Sequence, residues 1–500
     1  FEKLLGKKSN IITDIEIPEY KKIKSIAFKR RLNIETISNH KSDLSIVSHK
    51  YSRGMQLLKI RYKKKIYSFE TNLIGKVQVY NILMAILAAQ KSGLSFKQII
   101  NVIKKIKSVN GRLEKIGTLK NNSKIILDFA HTPAALESSL QNLKEQFKGK
   151  KISIVFGCGG NRDQSKRSMM GKIANFYCDQ IYLTDDNPRS ENPKKIRLMI
   201  KKMIDKSKVK EISDRSHAIR KAIIDLKVGN ILIVAGKGHE NTQVYRNYIR
   251  LFSDKNEILK SIKIKNKNLF NDIKLNILKE TSRSNNISKK TKINEASINS
   301  KEIKKNDIFF AIRGKNKDGN LFVKEAFKKG ASVAVVNRSK KGHQEIKVKD
   351  TLKFLTKIST ILRENLNSKI IAVTGSCGKT SLKELLGKTL KKISKTTYSP
   401  KSFNNKYGVP LSLFNLKQKD EFGIFEIGMD KKGEINNLSK IIKPDLAIIT
   451  NITYAHAKNF KNIKQIALAK SEIIGNIKDG GTLVLNADDP FYNFHKKIAQ

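Results

Sequence analysis

The sequence predicts a multidomain α/β protein, and three observations carry the prediction. A β-branched run (Ile370, Ile371, Val373) breaks into Thr374-Gly375-Ser376-Cys377-Gly378-Lys379-Thr380-Ser381, and a helical pattern follows over 382–390. Between 109 and 262, short apolar runs at 125–129, 152–156, 181–184 and 231–235 alternate with amphipathic stretches such as 169–176 and 196–204. That alternation implies an open, mostly parallel sheet. Finally, the 500 residues exceed what one hydrophobic core holds, about 250–300 residues.

The strand–glycine loop–helix context gives the first stretch its chemistry. Glycines let backbone N–H groups face a polyphosphate, Lys379 brings a charge to the β/γ-phosphates, and the Thr380 hydroxyl is placed for Mg2+. The longer spacing G-x-x-x-x-G-K-[ST] puts glycine at 373, where Val373 stands, so the loop is the shortened G-x-x-G-K-T. Correct flanking elements argue against a chance Gly-Lys-Thr in a lysine-rich chain.

Bulk composition bounds the function. Lys and Arg total 101 against 44 Asp and Glu, a formal charge of +57. The lysines are spread evenly alongside abundant Ile and Asn, with no basic stripe interleaved with aromatics and no Trp. They read as solvated faces and not as a nucleic-acid surface. No run of about 18 apolar residues exists to span a membrane. Cys158, Cys178 and Cys377 lack metal or disulfide spacing, which fits the cytoplasm. The chain starts at Phe1 and stops at Gln500 inside an expected helix, the pattern expected of a piece cut at both ends.

Residues 1–108 hold expected strands at 25–27, 57–62 and 65–69, and expected helices at 73–90 and 95–106. They show no catalytic set. Residues 109–262 form the alternating domain, and polar clusters follow its strands: Asp128-Phe129-Ala130-His131-Thr132-Pro133, Gly157-Cys158-Gly159-Gly160-Asn161-Arg162-Asp163, Asp185-Asp186-Asn187-Pro188-Arg189 and Gly236-Lys237-Gly238-His239-Glu240. Each alone is a turn. Four of them beyond the carboxyl ends of one parallel sheet make a ligand pocket. Arg162 and Arg189 can each fork onto a carboxylate and Glu240 can hold an ammonium, so the pocket suits an amino acid bearing both charges.

A lysine/asparagine spacer at 263–268 precedes a second start. Residues 268–350 read as a small α/β domain and 351–500 as the nucleotide domain. In the latter, Glu426 lies in an expected strand at 424–427, a plausible Mg2+ ligand or else a buried partner of some lysine. His456 follows a strand at 446–450. Lys470 sits in an expected helix and reads alone as one surface lysine among many.

These motifs resemble the Mur ligase family. Gly111-Arg112-Leu113-Glu114, DFAHTP, FGCGGNRD, DNPRSENP and GKGHE look like the C-terminal domain of the member that adds meso-diaminopimelate to UDP-N-acetylmuramoyl-L-alanyl-D-glutamate. That resemblance implies a Rossmann-like domain binding meso-diaminopimelate through Arg162, Asp186, Asn187, Pro188, Arg189, Gly236 and Glu240. Arg112, Asp128 and His131 would lie near the nucleotide. Residues 1–108 would end that enzyme's central domain, with its phosphate loop and modified lysine before residue 1.

Ser300-Lys301, Asp307 to Ile312, Gly314, Asp318-Gly319, Phe322 and Gly330-Ala331 resemble the UDP-sugar-binding N-terminal domain of the member that adds D-alanyl-D-alanine. TGSCGKTS, SFNN with GVPLSL, FEIGMDKKGEI, TNITYAHAKNF, ALAKSEI and LNADDP resemble its central domain. Carried over, Gly375, Ser376, Cys377, Gly378, Lys379, Thr380, Ser381, Asn486 and Asp489 contact ATP. Ser300, Asn404 and Asn405 contact the UDP-muramoyl peptide. Thr380, Glu426, His456 and Lys470 (as a carbamate) hold Mg2+, and Lys379, Lys470 and His456 are catalytic. The resemblance thus implies two ATP- and Mg2+-dependent amide ligations through acyl phosphates, in cytoplasmic peptidoglycan precursor synthesis. Its partners are UDP-MurNAc peptides, meso-diaminopimelate and D-Ala-D-Ala, with no nucleic acid and no membrane. A folylpolyglutamate-synthetase-like ligase shares the glycine loop but should lack DNPRSENP. A nucleic-acid-stimulated NTPase is the rival that the charge suggests.

Overall fold

The computed structural model describes residues 5–6, 9–52, 54–282, 287–288, 290–314, 317–338, 344–454 and 459–500. The chain folds as two compact units: residues 1–119 with 123–268, and residues 120–122 with 269–500.

Among the described residues the first unit contains three sheets, the smallest being the antiparallel hairpin Thr242–Tyr245, Tyr248–Leu251. A five-stranded sheet runs Asn10–Asp14, Asn33–Ser38, Leu44–Ser52, Met55–Tyr62, Lys65–Thr71, parallel in its first three strands and antiparallel thereafter. The helix Lys76–Lys91 lays Val79, Ile82, Leu83, Ile86 and Leu87 against Ile37, Leu44, Leu58, Ile60 and Phe69. Their i, i+3, i+4 and i+7 spacing is what makes that segment a helix with one apolar face. Residues 25–27, expected as a strand, instead lie in the helix Tyr20–Lys29. Ile23 and Ala27 are one helical turn apart and pack together with Ile11, Leu32 and Ile34, so helical periodicity outweighs the short β-branched look of the segment.

The second sheet of this unit has six strands, ordered Val209–Glu211, Gln180–Leu183, Ile152–Phe156, Ile231–Ala235, Lys124–Asp128, Glu114–Thr118. All neighbours are parallel except the last pair. Every residue of Ile231–Ala235 is buried, as a parallel strand covered on both faces requires. That strand inserts between two strands that precede it in the chain, so the loops on its two sides diverge at the carboxyl edge and leave a crevice. Residues 263–268, read as a spacer, belong to the helix Asp254–Asn268. No glycine or proline stops that helix, and Ile258 and Ser261 anchor it.

Among the described residues the second unit holds two sheets, both entirely parallel. Four short strands run Ala296–Ser297, Ile308–Phe310, Val333–Val336, Glu345–Lys347. Five run Thr396–Tyr398, Phe422–Glu426, Lys369–Thr374, Leu446–Ile449, Thr482–Leu485. The strand Lys369–Thr374 is central and delivers the glycine loop at its carboxyl end, where the helix Lys379–Ile393 begins. Among the described residues, no helix is long and apolar enough to cross a membrane.

Candidate functional site

In the second unit, the glycine loop is shaped by its neighbours. Gly378 caps the following helix in the left-handed region (φ 78°), a conformation that costs little only for glycine. The Ser376 and Cys377 N–H groups donate to the backbone and side-chain oxygens of Asn451, both at 2.9 Å. The Ser376 hydroxyl donates to Thr453 O at 3.0 Å and accepts from Thr453 N–H at 2.9 Å. Lys379 Nζ folds back onto the carbonyls of Gly375 (2.8 Å) and Ser376 (2.9 Å). Ser381 is exposed on the first turn of the helix.

Glu426 ends the neighbouring strand with 1% exposure, and its carboxylate is oriented from two sides. Thr380 Oγ1 donates to Oε2 at 2.7 Å and Asn404 Nδ2 donates to Oε1 at 2.8 Å. Asn405, beside it, accepts the N–H groups of Tyr407 and Gly408 and so opens a helix. The loop that carries both asparagines is held by Lys383, whose Nζ donates to Ser399 O at 2.9 Å and Lys401 O at 2.8 Å. Sequence reasoning passed over Lys383; its place on the helix one turn beyond Thr380 was the available signal.

Lys470 is no surface lysine. It is 1% exposed, and Nζ donates to Gly375 O at 2.8 Å, the carbonyl that Lys379 also uses. Burial and the neighbouring Lys379 charge bring its pKa down to about 7. The helix Ile463–Ser471 buries Ile466, Ala467 and Lys470 on one face, a periodicity readable beforehand. His456 lies outside the described residues. Asp489 accepts Ile452 N–H at 2.7 Å and Phe491 N–H at 2.8 Å, and Asn486 Oδ1 accepts Asp488 N–H at 3.1 Å. Both side chains therefore shape the loop after the strand Thr482–Leu485. Ser300 is buried and donates to Glu325 at 2.9 Å, so its hydroxyl already has an acceptor.

A magnesium ion suits the glycine-loop donors, one oriented carboxylate (Glu426) and one hydroxyl (Thr380), since Mg2+ is usually held by one or two protein oxygens plus waters and phosphate oxygens. Among the described residues no group of three or more His, Cys, Asp and Glu gathers.

In the first unit, three strand-end loops converge. Asn187 O accepts Gly160 N–H at 2.9 Å, and Arg189 Nη1 donates to Gly160 O at 2.7 Å. A Cβ on Gly160 would stand 1.9 Å from Pro188 O, so only glycine lets these loops touch. Arg189 itself sits at φ 52°. Asp186 is buried, its pKa raised by burial, and Gly236 lies against its Oδ2.

Glu240 is half-buried, and one of its carboxylate oxygens is engaged. Oε2 already accepts from Lys237 Nζ at 2.8 Å and Asn187 Nδ2 at 3.0 Å. Burial works against its charge, but these partners outweigh burial and hold its pKa below the usual carboxylate value. The fully buried Lys237, quoted in the motif but given no role, also donates to Asn187 Oδ1 at 2.9 Å and so joins two loops. Arg162 is exposed and makes no hydrogen bond or ion pair among the described residues. Arg112 lies over the Phe129 ring, 4.8 Å from its centroid, with His131 and His239 against the same ring. Asp128 spends its carboxylate on Leu113 N–H (2.7 Å), Ala130 N–H (3.0 Å) and the Ser139 hydroxyl (2.9 Å).

Family models match three stretches: the Mur ligase glutamate ligase domain over 111–238, the Mur ligase family catalytic domain over 292–369, and the Mur ligase middle domain over 373–500. The UDP-N-acetylmuramoyl-L-alanyl-D-glutamate–2,6-diaminopimelate ligase of Rickettsia rickettsii is 40% identical over 254 residues, covering 51% of this chain and 52% of that protein. The like-named ligase of Chelativorans sp. (strain BNC1) is 36% identical over 263 residues, covering 53% and 54%. Among solved structures, MurF from Acinetobacter baumannii is 31% identical, covers 45% of this chain and 50% of its own, and has a TM-score of 0.41. A UDP-N-acetylmuramoyl-L-alanyl-D-glutamate–2,6-diaminopimelate ligase is 29% identical, covers 51% and 53%, and has a TM-score of 0.42. The chain spans about half the length of the curated relatives it matches.

Proposed function

Because the chain belongs to the Mur ligase family and has its multidomain α/β fold, we propose that it serves two ATP-dependent amide ligations of peptidoglycan precursor synthesis. Its first unit would present meso-diaminopimelate for addition to UDP-MurNAc-L-Ala-D-Glu. Its second would bind ATP and the UDP-MurNAc-tripeptide for addition of D-Ala-D-Ala. The observation that carries this reading is the order of the matches: a glutamate ligase domain, at 111–238, precedes a catalytic and a middle domain at 292–369 and 373–500. One chain thereby joins an amino-acid pocket and a glycine-loop site in sequence.

When bound, ATP supplies the phosphoryl group that turns a carboxylate into an acyl phosphate, and Mg2+ offsets its charge. The chain's own groups position and neutralise. Lys379 is poised on the loop carbonyls and can turn its ammonium to a phosphate. Glu426, held by Thr380 and Asn404, would hold the metal ion with the Thr380 hydroxyl. Lys470, with its ammonium destabilised, is substantially neutral near pH 7, which is the form a carbamate requires. With Nη1 braced on Gly160 O, Arg189 can still meet the distal carboxylate of diaminopimelate side-on, by two parallel bonds from Nε and Nη2. Glu240, with the buried Asp186 beside it, would accept the ammonium group.

The test is ADP binding to the chain with and without Mg2+. Glu426→Gln should remove most of the Mg2+-dependent gain in affinity and leave Mg2+-free binding within about twofold. An unchanged Mg2+ dependence would break the metal assignment.

A further inference from the structure

A cleft of about 750 Å3 opens in the second unit away from the glycine loop. It is lined by the start of the helix Ile273–Ser282, by Ile293 to Glu295 ahead of the strand Ala296–Ser297, by Lys304 and Asp307 ahead of Ile308–Phe310, and by Lys417 and Gln418 ahead of Phe422–Glu426. It therefore sits at the amino ends of parallel strands, whereas the glycine loop sits at a carboxyl end.

We propose that this cleft is a second ligand site, which binds the oxyanion of a small molecule, a carboxylate or phosphate group, on Lys274. Lys274 is 5% exposed. Among the described residues its ammonium has no hydrogen-bond or ion-pair partner, only the Phe414 ring 5.2 Å away. Asp272, Asp307 and Asp420 around it each commit at least one carboxylate oxygen to another donor. Asp272 Oδ1 accepts Lys274's own N–H at 2.8 Å. Asp307 accepts the N–H groups of Glu295 (3.1 Å) and Lys304 (2.9 Å). Asp420 Oδ2 accepts Lys417 N–H at 2.8 Å and the Thr397 hydroxyl at 2.6 Å. Glu295 is exposed at the rim, as are Lys304 and Lys417.

Lys274 has a buried stem and an ammonium that reaches the cleft without a protein acceptor, a largely desolvated charge that water or a ligand must complete. Burial, and more weakly Lys417, push its pKa down to about 8 against the opposing pull of Asp272, Glu295 and Asp420. An oxyanion supplies the missing partner and restores the proton. Binding is therefore linked to protonation: affinity for an anion of constant charge should fall about tenfold per pH unit above pH 8. This inference does not depend on the ligase reading.

The experiment uses the 500-residue chain and two probes, inorganic phosphate and acetate, at constant ionic strength. Lys274 is labelled with trinitrobenzenesulfonate and the labelled peptide is quantified by mass spectrometry, which separates this site from the glycine loop. Either anion should slow labelling of Lys274 at least fivefold at saturation; phosphate acting at lower concentration identifies a phosphoryl ligand, acetate a carboxylate. Because the reagent must reach a buried amine, the anion-induced rise in Tm is measured in parallel in a Lys379→Ala background, where the glycine loop no longer contributes. Adding Lys274→Met should abolish that rise. Labelling and Tm that ignore both anions, or a Tm rise that survives Lys274→Met, would leave Lys274 as a partner of Phe414 alone and overturn the proposal.

Discussion

On the proposed reading, Arg189 would decide which amino acid the first unit accepts. Diaminopimelate differs from lysine by one carboxylate at the far end, and a guanidinium can grip it with two parallel bonds. Lysine in the same place would leave a desolvated charge unpaired. One arm is already braced on Gly160 O at 2.7 Å, so the fork is aimed before the ligand arrives. Arg189→Ala should weaken meso-diaminopimelate binding by roughly 2–4 kcal/mol, and Arg189→Lys nearly as much, because an ammonium is a point charge without the fork. Calorimetric titration with meso-diaminopimelate and with lysine checks this; ADP affinity should not move. An intact preference in Arg189→Ala would reduce the loop to a turn.

Lys470 makes a second prediction at the same scale. Its folded pKa of about 7 lies below the ordinary 10.5. The unfolded chain thus binds one more proton between those values, and stability from this group rises with pH across that window. It is fully present above about 10.5, lost as pH falls through 7, and flat below. In CO2-free buffer, Lys470→Met should flatten the pH dependence of denaturant-measured stability by about 1.4 kcal/mol per pH unit between pH 7 and 10.5. Parallel profiles for the two proteins would place Lys470 in solvent.

A pair of loops shows what an element adds to its residues. Gly378→Ala puts a side chain at φ 78° with nothing within 4 Å of its Cβ, so only the backbone term remains, about 1–2 kcal/mol. Gly160→Ala meets Pro188 O at 1.9 Å and must push the facing loops away from each other, costing about 1–3 kcal/mol and weakening meso-diaminopimelate with it. Chemical denaturation and titration of both variants check this: Gly378→Ala should spare meso-diaminopimelate, and Gly160→Ala should spare ADP. Equal losses of both ligands would contradict the local assignment.

Much of this layer was legible in the chain. Alternating runs marked the parallel sheets, and strand, glycines and helix marked the phosphate loop, because those signals are local. The burial of Lys470 could be read from the helical spacing of Ile466 and Ala467, but its partner could not, since the Gly375 carbonyl is far away in sequence. The Lys237–Glu240 pair was not legible for a related reason: Lys237, three residues earlier, folds back onto Glu240 only once Lys237 is buried. Residues 25–27 misled because three residues cannot tell period 2 from period 3.6.

At the scale of the molecule, each unit has its own apolar cores: Ile126, Leu140, Ile154, Ile233 and their neighbours in the first, Ile303, Phe309, Val336 and Ile371, Val373, Ile424 in the second. Residues 1–268 and 269–500, expressed separately, should each unfold cooperatively. The high positive charge favours the approach of anionic ligands to both, and that advantage should shrink with added salt. The central claim, that one chain carries the amino-acid pocket of one ligation and the nucleotide site of another, meets its most direct test in a single calorimetric series on the 500-residue protein. One equivalent of meso-diaminopimelate and one of Mg2+–ADP should bind, with Arg189→Ala abolishing only the first and Lys379→Ala only the second. Failure to bind meso-diaminopimelate, or loss of both ligands on either substitution, would contradict it.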